Sequence, residues 1–162
     1  TFVSDLCVLR RRVAPMAARL AAEGRSAETL TRIAAAYERM ERHRSGGHDL
    51  IAADLDFHLA ILAATDNHFL TSLGSLIHTS LEFSFKYTWQ GAAGMKVERL
   101  HRHRAVLLAI RSGAARAAER HMTDLLDQSL DDLHRFFTRQ RRAAAAPADK
   151  TMRQKSHVHT RS

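Results

Sequence analysis

Two residues four apart, Asp54 and His58, carry chemistry that the rest of this sequence has to accommodate. They fall in a stretch, residues 49–64, whose apolar residues Ile51, Leu55, Leu59 and Leu62 recur at helical spacing. Positions i and i+4 project from one side of a helix, so a carboxylate and an imidazole stand one turn apart. They lie on or beside the face that a bundle would bury. Burying both bare is costly, so they must be paired, hydrogen-bonded or bound to a metal.

A second stretch repeats the pattern. Leu100, His103, Leu107 and Ile110 share one side of a helix over 95–111, so His103 replaces an apolar residue on the inward face, while His101 and Arg104 fall on other faces. One carboxylate oxygen and two imidazole nitrogens make a usable facial set for a divalent transition metal such as zinc, with the other positions open to water or a ligand. Spacing alone leaves a plainer reading beside this one: an Asp–His pair hydrogen-bonded inside the core. Eleven histidines make inward ones common, and D-x-x-x-H by itself is a weak motif.

Other groups offer less. His43 and His48 flank a loop and His157 and His159 lie near the C-terminal end, which reads as solvated. Gly46-Gly47 and Gly91/Gly94 lack the strand–turn–helix context of a phosphate loop. No serine or cysteine sits in a nucleophile motif. Arg10 falls between Leu6 and Val13 on one side of the first helix, either pointing inward or snorkelling from the margin of the apolar stripe.

The elements that must position these groups read as helices over 5–23, 26–44, 49–64, 68–89, 95–111 and 114–140. The chain is 45% hydrophobic with 6% aromatic residues and two prolines, and it is rich in Ala, Leu and Arg; strands would call for more β-branched and aromatic residues. The expectation is an all-α antiparallel bundle of about six helices around a central ligand or metal pocket, over residues 1–140. Residues 141–162 read as a disordered basic tail. From Arg139 onward there are seven basic residues against one acid, so six of the eight net positive charges belong to that end, and a DNA-reading surface on the body is not indicated. No run of apolar residues approaches the ~20 that a membrane span needs, and no signal peptide opens the chain. A lone Cys7 suits a reducing cytoplasm.

The order and spacing of several segments resemble a known family. Leu6-Cys7-Val8-Leu9-Arg10, Asp54-Leu55-Asp56-Phe57-His58, Ala64-Thr65-Asp66-Asn67, His103-Arg104-Ala105-Val106-Leu107-Leu108-Ala109-Ile110, Ala117-Ala118 and Met122 together resemble the FCD ligand-binding domain, the C-terminal effector module of FadR-subfamily GntR transcription regulators. The likeness runs to about Leu133.

The resemblance implies a helical bundle whose central pocket holds a divalent metal and a small carboxylate effector. By that likeness Asp54, His58 and His103 match the metal ligands, for zinc or alternatively nickel or manganese. The family's metal-binding members usually add a further histidine where this chain has Leu125, so His121, water or effector oxygens would have to complete the set. Leu81-Glu82-Phe83-Ser84-Phe85 and Trp89 are similar to the branch that senses galactonate and related sugar acids. There Arg10 and Trp89 match effector-facing positions, a guanidinium fork for the carboxylate and an indole over the sugar-acid backbone. The partners implied are the sugar acid, a second copy of the chain, and operator DNA reached only through an N-terminal winged helix-turn-helix that these residues do not include. Two other readings stay open: a metallohydrolase with Asp56 or Glu82 as partner acid, and a plain dimerisation module.

Overall fold

Short polar residues and glycines decide where the helices begin and end. The computed structural model describes residues 2–79, 82 and 97–145. After α1 (Phe2–Glu23), Ser26 starts α2 (Ala27–Arg42) with a reciprocal capping box. Its Oγ accepts the Thr29 N–H at 3.2 Å while Thr29 Oγ1 accepts the Ser26 N–H at 3.0 Å. Gly47, at φ +93°, leads into α3 (His48–Ala63), a conformation that a side chain would make costly. Asn67 caps α4 (His68–Ser72), its side chain accepting the N–H groups of Phe69 and Leu70. Gly113, at φ +71°, turns the chain between α5 (Val97–Ser112) and α6 (Ala115–Ala145).

The described residues contain six such helices and no strand, as composition and periodicity predict. Two details differ from the sequence reading. The helix expected from residue 68 breaks at Leu73, a turn residue, and helical backbone resumes over 74–79. Its expected continuation through Trp89 and the break at Gly91 and Gly94 lie outside the described residues. The last helix runs to Ala145 rather than stopping near Gln140, since arginine and alanine are strong helix formers. The tail beyond it also lies outside the described residues.

α1 packs chiefly along α6, α2 along α3, and α5 along α6. The row Ala14, Ala17, Ala18, Ala21 and Ala22 on α1 is buried, and such small side chains permit a close helix approach. α5 also touches α1 and α2, and α1 reaches α3. The core side chains Ile33, Met40, Leu50, Phe57, Val106, Ile110 and Met122 are wholly excluded from water. Each such burial stabilises by ~1.5–3 kcal/mol. This packing brings one side each of α1, α3 and α5 together, and there the polar residues meet.

Candidate metal centre

α3 is apolar almost all round, so its period alone does not say which side turns inward. The structure buries Leu50, Ala53, Asp54, Phe57, His58, Ile61 and Leu62 and leaves Ile51, Leu55 and Leu59 half-buried. Asp54 and His58 therefore lie in the middle of the inward face, at 0% and 3% exposure, rather than at its edge.

On α5 the inward stripe is the expected one, Leu100, His103, Leu107 and Ile110, joined by Arg99. His103 is fully buried and its Nδ1 lies 2.8 Å from the Arg99 carbonyl one turn earlier. A carbonyl only accepts, so Nδ1 donates to it and Nε2 faces outward from the helix. Nε2 comes within 2.7 Å of Asp54 Oδ1. Asp54 Oδ1 and Oδ2, His103 Nε2 and His58 Nδ1 are all buried without a hydrogen-bond partner.

The electrostatics favour ligand-ready protonation states. Burial by itself pushes the Asp54 carboxyl up, but His103, Arg99 and His58 outweigh it and hold the group well below the usual carboxylate range. Burial, reinforced by the Arg10 charge and opposed by Asp54, holds His58 well below the ordinary imidazole value, so it is neutral at pH 7. An ionised carboxylate and a neutral imidazole are what metal ligation requires.

Asp54, His58 and His103 each offer a ligand atom within 4.8 Å of the others. A buried polar atom left unsatisfied costs about 1–3 kcal/mol, more when charged. A divalent cation would satisfy the two carboxylate oxygens and His103 Nε2, with His58 joining them once one of its ring nitrogens has a free lone pair. The residues fit a metal. Phe57 walls the cluster, with its ring edge-on to His58 and His103 at centroid distances of 5.7 and 5.2 Å.

Two arginines complete the site. Arg10 is 5% exposed, so it is not the snorkelling residue of the stripe's margin, and its Nη2 donates to His58 Nε2 at 3.0 Å. Burial, partly offset by Asp54, lowers its pKa to about 10, which leaves it charged at neutral pH. Arg99 places Nη2 3.9 Å from Asp54 Oδ2. Sequence reasoning missed Arg99; the available signal was its position four residues before His103, on the same side of α5.

Other sequence expectations fall elsewhere. Trp89 lies outside the described residues. Leu125 is packed in the core at 1% exposure. His121 lines an open surface groove with Ala105, Leu108 and Ala117 rather than joining the three clustered ligands. Asp56 is exposed in an ion pair with Arg39, and Glu82 is exposed beside His78.

A sequence model of the FCD domain matches residues 5–128, most of the chain. The chain belongs to the FCD domain family. The matched span contains Arg10, Asp54, His58, Arg99 and His103. This FCD domain is similar to the galactonate operon transcriptional repressor of Escherichia coli (strain K12), at 30% identity over 117 residues, 72% of this chain and 51% of the repressor. It thus spans about half the length of that curated relative. Its fold is also that of Streptococcus agalactiae GntR, with a TM-score of 0.66 at 23% identity, over 78% of this chain and 57% of that one.

Proposed function

We propose that this FCD domain is the effector-sensing and dimerisation part of a GntR-type transcription regulator. It binds a small carboxylate of the sugar-acid class beside a divalent metal held by Asp54, His58 and His103. The observation that carries this reading is the charge and bonding state of the buried cluster. The buried Arg10 guanidinium, the carboxylate of Asp54 and the imidazoles of His58 and His103 share one interior site, and among the described residues four ligand-type atoms there lack hydrogen-bond partners. Such a site calls for a cation on the Asp–His–His side and an anion beside Arg10.

The groups have separable roles. Asp54 and the two imidazoles hold the metal, with zinc favoured by the nitrogen-rich set and nickel or manganese as alternatives. A metal bound there supplies a Lewis-acid position for the effector's oxygens. Arg10 fixes the effector carboxylate by a guanidinium fork. Trp89 covers the rest of the effector. With Leu125 in the core, effector or water oxygens complete the coordination.

The galactonate repressor similarity supports a sugar acid over other carboxylates. Effector binding then biases the arrangement of two copies, and operator DNA is contacted through a domain outside these residues. The protein works in the cytoplasm; no described helix is long and apolar enough to cross a membrane.

The deciding experiment is thermal melting with zinc and a panel of aldonates, hexuronates, lactate and dicarboxylates. A ligand at a hundred times its Kd stabilises by about 2.7 kcal/mol, a readily measured rise. A rise with sugar acids supports the reading. A rise only with lactate or a dicarboxylate overturns the sugar-acid class, and no rise with any of them overturns the sensor.

A further inference from the structure

We infer that Arg10 and a metal ion compete for the same lone pair of His58, which makes Arg10 the residue that couples metal loading to anion binding. The inference rests on the metal reading of the Asp54–His58–His103 cluster and adds a regulatory role to it.

The argument begins with the imidazole. A neutral histidine has one nitrogen that donates and one that accepts. Arg10 Nη2 sits 3.0 Å from His58 Nε2, and a guanidinium only donates, so Nε2 is the accepting nitrogen and Nδ1 carries the proton. The single lone pair of His58 is thereby engaged. A metal bound at Nε2 must displace Arg10. A metal bound at Nδ1 requires the proton to move to Nε2, where it faces another donor. Either route ends the Arg10–His58 hydrogen bond.

Arg10 cannot simply turn to water, because it is 5% exposed and its Nε is already buried without a hydrogen-bond partner. Once released, the guanidinium has charge and several N–H donors to satisfy inside the domain. A planar anion with two acceptor oxygens, a carboxylate, matches that fork. Metal and Arg10 therefore oppose each other when no anion is bound, whereas metal and carboxylate favour each other. The coupling is reciprocal by thermodynamic necessity.

The test is a zinc titration by calorimetry on the full chain at neutral pH, wild type against Arg10→Met, which keeps much of the volume but removes donors and charge. Arg10→Met should bind zinc more tightly, by roughly tenfold, within the usual range of site–site couplings. The ligand variant Asp54→Ala should move the opposite way. Equal or weaker zinc binding by a folded Arg10→Met overturns the competition while leaving the metal site standing. Wild-type protein that takes up no zinc, nickel or manganese overturns the metal reading itself, and the competition with it. Should Arg10→Met fail to fold, nitrogen NMR on the wild type decides: saturating zinc should shift the Arg10 guanidinium resonances, and unchanged resonances overturn the proposal.

Discussion

Nε2 of His103 on α5 lies 2.7 Å from Oδ1 of Asp54 on α3. Nδ1 of the same ring donates to the Arg99 carbonyl at 2.8 Å, which aims Nε2 at the carboxylate. A histidine whose far nitrogen donates to a backbone carbonyl is the usual support for a metal-ligating imidazole. Neutral His103 should therefore be the Nδ1–H tautomer in chelator-treated protein, and added zinc should perturb Nε2. Nitrogen chemical shifts report this directly; an Nε2–H tautomer in the chelated state would contradict the geometry.

Replacing Asp54 removes both a ligand and the counter-charge of two buried arginines. Asp54→Ala should reduce bound metal to a trace in elemental analysis. It should also destabilise the domain by about 3–5 kcal/mol, the usual result of stripping one partner from a buried charge cluster. Undiminished metal content would sink the assignment of Asp54.

The pH dependence of the chelated domain follows from two depressed pKa values. The folded His58 titrates below its unfolded value of 6.5, so its contribution to stability is complete above that pH and is lost as the pH falls below it. Asp54 is likewise depressed from 3.8, so its contribution is present above about that pH and disappears on further acidification. Melting temperature should fall in two successive limbs, and a His58→Gln variant should lose the upper one. A melting temperature constant from pH 7 to 5 in the wild type would count against a buried neutral His58.

Phe57 shares the inward face of α3 and packs edge-on against both histidines. Phe57→Ala should cost about 3–5 kcal/mol in denaturant unfolding through the cavity it leaves. Phe57→Leu should cost less yet still weaken zinc binding, because ring contacts that orient His58 and His103 are gone. Full zinc affinity in Phe57→Leu would show that the backbone alone orients the imidazoles.

Much of the candidate site was legible before any coordinates. The four-residue spacing of Asp54 and His58 requires them to share a side of α3, and the stripe through Leu100, Leu107 and Ile110 requires His103 to point inward on α5. Arg10 was only half legible, because a place between Leu6 and Val13 fits an inward side chain and one at the margin of the stripe equally, and burial decides for the first. Arg99 was not legible as a site residue, since an arginine in the first turn of a helix ordinarily reads as solvated.

The helical period links residues three and four apart, so the sequence by itself determined the helical character of the described stretches and which polar residues share a side of each helix, though not the break at Leu73 or the run of α6 to Ala145. It could not choose the inward side of α3, whose apolar residues nearly encircle it. Nor could it set distances between α1, α3 and α5, because no local period couples residues so far apart in the chain. Packing of small alanines on α1 and the full burial of Phe57 and Ile61 decided both. Only the tertiary structure brought Arg10 onto His58 and His103 onto Asp54, turning four inward-facing side chains into one electrostatically linked centre.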